Sequence, residues 1–534
     1  MTTTLEEPPE ALEHDPESSL PDASVLEDKT PEWCRMSGAS AAFGVLLGLV
    51  LIVFANRPLW HSDLWDHINY GFHTLQHRSV ADTEPLLPLA KGMPLVNSAW
   101  GSQVVMALVF QTQKLGLPGL QFGYALLIVV AMGFVGYAVT RRSGSVVAGM
   151  MSSLILLAVN WQQFLIIRPQ LAGVCFFCAV LAMLVLKFDR RQPAWFVWPV
   201  LFAVWANVHG SFAMGLFLMG LYTIGTAMDL IFSTRSLRQT LASRRLWKLI
   251  LLTQLSATAV LLNPNGLTIY HEVLRVGSHP NVQTMYEWDP LTLRMKQGQA
   301  FAAAAVVLLL LLRLSPRRLR SAELLPLLVL GLMAMWSGRM INWFAPLAGL
   351  MIGCHGAAVC REFTGRLRRT VPYQRTGLWT VVNLGLCWVF FGLTALGVQS
   401  IHGRAPDVRR SLSAETPISL LEYLSTNDDT VSRGVAFVPA EWSGFLMQFG
   451  PPTLKPMVNL HVHVIPEEVW TDYVRLLEGP GDWDGLLDRY AINMAITNKI
   501  TQARLTRLLR ESDQYEIKYE DAQAAVFHRK HPIP

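Results

Sequence analysis

From residue 39 to residue 399 the chain reads as apolar runs separated by short polar connections. Windows at 39–56, 117–139, 144–160, 170–187, 194–208, 211–232, 247–262, 299–314, 321–337, 340–358 and 378–399 reach or approach the ~18–20 residues that carry a helix across ~30 Å of hydrocarbon. The pattern predicts a mainly α protein, a polytopic helical membrane bundle of about eleven transmembrane helices. Segment 99–113 is also apolar, but its core from Val104 to Phe110 would cover only about 10 Å at 1.5 Å per residue. It reads instead as an interfacial helix on the outer surface. Beyond residue 402 the long apolar runs stop. Short β-type runs (Gly434–Val438, Ala491–Thr497, Tyr515–Tyr519) alternate there with helical patterns at 417–425, 467–478 and 501–511. That alternation predicts a small C-terminal extramembrane α/β domain over 403–534. Residues 1–38 are acidic and Pro-containing, the composition of a disordered tail. The membrane body is then 39–402.

Composition agrees with the pattern: 51% of residues are hydrophobic and 16% charged, against about 25% charged in soluble domains. The net charge of +5 does not point to nucleic acid, because its location follows the connections between spans. Lys and Arg cluster at Arg141–Arg142, at Lys187, Arg190 and Arg191, from Arg235 to Lys248, from Arg313 to Arg320 and from Arg361 to Arg375. Each cluster falls after every second crossing if the N-terminus is cytoplasmic. The positive-inside rule then orients the chain with its N-terminus cytoplasmic and its C-terminal domain extracytoplasmic. The six cysteines lie in or beside spans, so the outer domain has no disulfide framework. Cys175 and Cys178, like Gly44 and Gly48, read as close helix contacts.

The first outer connection, 57–116, is the longest. It opens with "HSDLWDHINYGFHTLQHR", in which Trp65, Ile68, Phe72 and Leu75 fall at helical spacing, the mark of a second interfacial helix over 65–77. Polar groups gather at the outer span ends: Asp63, Asp66 and His67, then Gln162, Gln163 and Arg168, then Asn207 and His209, Asn263 and Asn265, Glu287 and Asp289, and Arg339. Loops far apart in sequence thus deliver carboxylates, imidazoles and guanidiniums to one face. Such a set suits transfer of a group from a lipid-linked phosphate. Arg pairs phosphate bidentately, and a carboxylate in low dielectric has its pKa raised towards that of a useful base. The expected catalytic set is Asp63, Asp66 and His67, with Asp63 as base. The expected substrate or phosphate-binding set is Arg168, His209, Arg339, Gln163 and Glu287. Simpler roles stay open: Asp63 or Asp66 as helix cap, His67 paired with Asp63, Arg168 as an interfacial anchor, His209 as a structural histidine. In "NLHVHV", His461 and His463 read as alternation on a strand rather than as metal ligands.

A first span followed by a long outer loop, an aspartate near its start and two interfacial helices resembles the GT-C superfamily of integral-membrane glycosyltransferases. The strings "SDLWDHINYG", "NSAWGSQV", "RPQLAG", "WANVHGSF", "LNPNGLTIY", "EWDP" and "EWSGFLMQFG" are similar to a bacterial multi-span group related to the protein mannosyltransferases and aminoarabinose transferases. The resemblance implies a polyprenyl-phosphate sugar donor and a glycan, lipid or protein acceptor reached from the outer face. It also implies an aspartate of the first outer loop, here Asp63, as catalytic centre, acting as base or as ligand of a divalent metal such as Mg or Mn. That branch carries adjacent Asp-Glu where this chain has Asp63-Leu64, so sugar, acceptor and metal are not fixed by it. Two other functions compete: a non-catalytic membrane scaffold built on a degenerate GT-C body, and a transporter or flippase. The latter usually shows internal repeats and charges near the midplane, whereas here the polar groups sit at one interface.

Overall fold

A computed structural model describes residues 27–60, 63–187, 194–364, 374–403, 407–427, 434–479 and 481–533. The expected disordered tail lies, for residues 1–26, outside the described residues. Every apolar window falls on a helix. The first eight helices are α1 (Gly38–Ala55), α2 (Leu64–His77), α3 (Trp100–Gln111), α4 (Gly116–Ser143), α5 (Val146–Val159), α6 (Gln170–Val185), α7 (Val197–Val208) and α8 (Phe212–Thr234). Helices Arg244–Val260, Thr268–Val276, Lys296–Leu314, Ser321–Trp336, Ile341–Thr364, Gly377–Gly392 and Ala395–His402 complete the bundle.

Five of these helices are long and apolar enough to cross a membrane, or six if the pair Gly377–Gly392 and Ala395–His402, bent by 83°, is one span. The expected count of about eleven is therefore not reached by length. α7, with 12 residues, covers only about 18 Å at 1.5 Å per residue. α5 stops at Asn160, which leads into the polar turn that carries Gln163, and α6 begins only after Arg168-Pro169. Chain given over to polar turns is lost to span length.

Helix Ile341–Thr364 forms the centre, packed against α4, α5, α6 and the flanking helices Lys296–Leu314 and Ser321–Trp336. The expected close contact of Gly44 and Gly48 is present. A Cβ on Gly44 would meet Asn383 Nδ2 at 2.5 Å, and one on Gly48 would meet Phe390 Cδ2 at 2.0 Å. Small residues here admit the neighbouring helix. Cys175 and Cys178 are buried and unbridged.

The C-terminal part contains a five-stranded sheet: β1 (Val435–Phe437), β2 (Lys455–Pro456), β3 (Met494–Asn498), β4 (Tyr515–Glu520) and β5 (Ala524–Arg529), in the order β2-β1-β3-β5-β4. β1 pairs in parallel with β2 and β3, whereas β5 is antiparallel to β3 and β4. Helices Ile418–Thr426, Ala440–Phe449, Glu467–Glu478, Trp483–Arg489 and Ala503–Glu511 pack around it. β3 and β5 are almost wholly buried, as inner strands should be, while edge strand β4 is mostly exposed.

Both helices expected in the first outer loop are present as α2 and α3, but α2 does not present its apolar stripe outward. Trp65 and Ile68 are 1% and 0% exposed, enclosed between α3 and helix Ala440–Phe449. Trp65 meets Phe110, Phe445 and Phe449 edge-on at 5.7, 5.6 and 5.0 Å. Aromatic packing of that kind contributes beyond its buried area. The C-terminal α/β part thus rests on α2, and that contact positions the site.

Candidate functional site

Asp63 occupies the N-cap position of α2, yet its side chain makes no capping bond. It turns to Arg168, whose Nε donates to Asp63 Oδ1 at 2.9 Å. Arg168 Nη1 also bonds Glu287 Oε2, and Arg339 Nη1 donates to Glu287 Oε1 at 2.6 Å. Four charges from four separate connections therefore form one alternating chain, Asp63–Arg168–Glu287–Arg339. Each side chain is no more than 23% exposed. Its far end is held by a backbone bond from Gly338 N to Asp289 O at 2.8 Å and by Arg339 over the Trp288 ring at 5.3 Å. Arg168 and Arg339 are thus not interfacial anchors. Their guanidiniums point inward.

These groups line a cavity of about 380 Å³ that also takes in His67, His209, His461 and His463. His67 Nε2 faces Asp63 Oδ2 at 3.8 Å, and its Nδ1 lies 3.2 Å from Gln103 Nε2 and 3.3 Å from His461 Nε2. The Gln103 amide is in turn fixed by Asn97 Nδ2, which donates to Gln103 Oε1 at 2.6 Å. With Gln103 donating to Nδ1, the His67 proton belongs on Nε2, towards Asp63. His209 accepts from Ser211 N at 3.0 Å, closing the tight turn between α7 and α8.

Two expected site residues lie elsewhere. Asp66 does not line the cavity; it points into the C-terminal α/β part, accepting from Leu460 N at 3.2 Å. With Asn69 Nδ2 donating to Gly444 O at 2.9 Å, it joins α2 to that part. Gln163 also lies off the cavity wall and accepts from Asn342 Nδ2 at 3.3 Å. The strand expected for "NLHVHV" is instead a 3-10 turn at Val462–Val464, between Asn459 and Pro466. Asn281 Nδ2 pins this turn by donating to Val462 O at 2.9 Å and Ile465 O at 2.8 Å. That is how His461 and His463, read as ordinary strand residues, enter the cavity. Gln103 and Asn97 were missed as well. Their place in "NSAWGSQV", one of the strings that carry the resemblance, was the only signal for them.

No family model matches the sequence, and no curated protein does. Solved structures do match. The oligosaccharyltransferase AglB from Archaeoglobus fulgidus, solved with an inhibitory peptide and a dolichol-phosphate, superposes with a TM-score of 0.56 at 10% identity, over 92% of this chain and 74% of that one. ArnT from Cupriavidus metallidurans, bound to undecaprenyl phosphate, gives 0.52 at 13% identity, over 92% and 98%. The arabinofuranosyltransferase AftD from Mycobacteria gives 0.51 at 15% identity, over 94% and 42%. The chain has the GT-C fold.

Within this GT-C body the electrostatics depart from the expected base. Burial raises the Asp63 pKa, but the Arg168 charge, His67 and the Arg168 hydrogen bond outweigh it and hold the carboxyl at about 2. Glu287 is likewise lowered, burial being overcome by Arg339 and Arg168. Burial pushes His67 down to about 4, and His209, His461 and His463 to about 3. The cavity therefore holds neutral imidazoles beside a self-neutralised ion chain. Asp66 shows the shift expected of Asp63: burial, away from any cation, raises it well above the ordinary carboxylate range.

A divalent metal does not fit this cavity as arranged. Among the described residues no three His, Cys, Asp or Glu side chains form a ligand group, and the two Asp63 oxygens already face Arg168 and His67.

Proposed function

We propose that this chain is a glycosyltransferase that takes a sugar from a polyprenyl-phosphate donor and passes it to a glycan, lipid or protein acceptor at the extracytoplasmic face of a bacterial inner membrane. One observation carries the reading: Asp63, Arg168, Glu287 and Arg339, from connections up to 276 positions apart in the numbering, form a single ion chain on a cavity wall in a GT-C body. The topology that goes with it is the eleven-span one, N-terminus cytoplasmic and outer domain over the cavity. The short helices then cross as parts of a bundle thinned where polar turns enter it. That two neighbours were solved with dolichol-phosphate and undecaprenyl phosphate supports a donor of this class.

In this mechanism the ion chain is the resting state. A donor phosphate exchanges for Glu287 on Arg168 and Arg339, because guanidinium forks bind phosphate as they bind carboxylate. The apolar wall formed by Met214, Met285, Met340 and Trp343 takes the adjoining apolar part of the lipid. As Arg168 turns to the phosphate, Asp63 loses the partner that keeps its pKa low. Burial then raises it, and the carboxylate becomes a base for the acceptor hydroxyl. His67, neutral and hydrogen-bonded through Nδ1, orients Asp63 from the opposite side.

Replacing Asp63 with Asn tests this reading. Arg168 retains Glu287, so the fold should survive, while transfer from a labelled polyprenyl-phosphate sugar should fall by about 10²-fold or more. Unchanged transfer in the folded variant defeats the assignment. The complete pairing of the four charges favours a second reading, a degenerate GT-C scaffold that binds no donor. It is the correct one if the wild-type protein neither binds nor turns over such donors.

A further inference from the structure

At the other end of the bundle lies a larger cavity, of about 970 Å³. α6 and α8 connect the two. Gln170 and Met214 near their N-termini line the first cavity, whereas Val185 and Ser233 at their C-terminal ends line the second. α8 alone, with 23 residues, separates them by roughly 30 Å.

The second cavity is strongly cationic. Arg142, Lys187, Arg245, Arg317, Arg318 and Arg320 line it together with Arg361, and Asp229 is the one carboxylate among the described lining residues. Asp229 is already engaged, accepting from Ser321 N at 2.7 Å and Ala322 N at 3.4 Å at the start of helix Ser321–Trp336. Positive charge in a connection can serve topology alone, and exposed arginines would need no other reason. Arg142 is different. Its side chain is 9% exposed, its Nη2 pairs with Glu323 Oε1 at 2.7 Å, and its Nη1 is buried without a hydrogen-bond partner among the described residues. An unused, desolvated guanidinium donor is costly, and a cavity wall that concentrates cations focuses field on whatever anion enters.

We infer that this second cavity binds a phosphate group, with Arg142 Nη1 and the Arg317–Arg320 segment as its donors. The ligand is a phosphate-bearing anion, either a lipid headgroup or a soluble phosphate. The apolar lining residues Leu186, Leu230 and Ala358 suit the adjoining stem of either. The site is independent of the reaction proposed above and stands whether or not that reaction occurs.

The test uses the full chain in phosphatidylcholine nanodiscs, with inorganic pyrophosphate as soluble probe, and native mass spectrometry with phosphatidylglycerol as headgroup probe. Binding of either probe should weaken about tenfold or more in the triple variant Arg317→Gln/Arg318→Gln/Arg320→Gln, since each lost charge-assisted contact is worth a factor of that order. Arg142→Lys retains a cation for Glu323 but removes Nη1, and should weaken binding without unfolding the chain. Arg409→Gln, an exposed partner of Glu422 outside both cavities, should leave it unchanged. Pyrophosphate binding identifies a soluble ligand; retention of phosphatidylglycerol alone identifies a headgroup. The inference is overturned if neither probe binds, if the triple variant binds as the wild type does, or if Arg409→Gln abolishes binding equally.

Discussion

Glu287→Gln separates a cavity built to receive phosphate from one that is merely well paired. The substitution retains size and one acceptor oxygen but removes the charge that Arg168 and Arg339 share. Each hydrogen bond to a charged group contributes about 1.5–3 kcal/mol. At 19% exposure of Glu287 the two together are worth roughly 3 kcal/mol, the low end of what breaking a buried ion pair costs. Stability should therefore fall. Phosphate affinity should rise, because an incoming donor no longer competes with a carboxylate for both guanidiniums. If half of that 3 kcal/mol opposes binding in the wild type, the gain is about tenfold. The assay is equilibrium binding of a labelled polyprenyl phosphate to the purified variant, with a melting curve to check its fold. A folded Glu287→Gln protein that binds no tighter than the wild type refutes the exchange of carboxylate for phosphate.

Two further outcomes follow from the same arrangement of residues. The four buried imidazoles titrate at about 4 for His67 and about 3 for His209, His461 and His463, against an ordinary 6.5. The unfolded chain therefore binds their protons first, so the stability they contribute is complete above pH 6.5 and is lost as pH falls towards 4. The slope is at most about 1.4 kcal/mol per pH unit for each imidazole. Asp63, depressed from 3.8 to about 2, acts only in the window below. Melting temperature should thus drop steeply between pH 6.5 and 4, and a flat profile there excludes buried neutral histidines. Gly444→Ala would place a Cβ 2.5 Å from Asp66 Oδ1 and 2.8 Å from Asp66 N. It should lift helix Ala440–Phe449 off α2 and, with it, displace His461. Limited proteolysis should then cut the C-terminal α/β part faster than in the wild type, and equal protection would show that this contact does not hold that part in place.

Much of the fold was legible in the chain because helix formation in apolar runs is local. Each of the eleven windows became a helix, and the strands β1, β3 and β4 lie where β-type runs were read. β2, with two residues, is too short to leave a pattern. β5 was missed although Ala524–Phe527 is fully buried, because a short apolar run carries no alternation. In the site, Asp63, His67, Arg168, His209, Glu287 and Arg339 were legible from their position at span ends. His461 was not. It meets His67 across 394 residues, and the local pattern of "NLHVHV" points to a strand that Pro466 and the anchoring by Asn281 turn into a single helical turn.

The sequence by itself determined that this is a helical, membrane-type chain and which connections carry its charge, since both depend on hydrophobicity and spacing along one dimension. Only the tertiary structure decided how those charges behave. Asp63 and Asp66 are three residues apart on one short segment. The first faces Arg168 and is driven ionised; the second faces the C-terminal α/β part with no cation beside it and is driven neutral. Burial acts on both carboxyls alike, and the partner across the fold sets the sign.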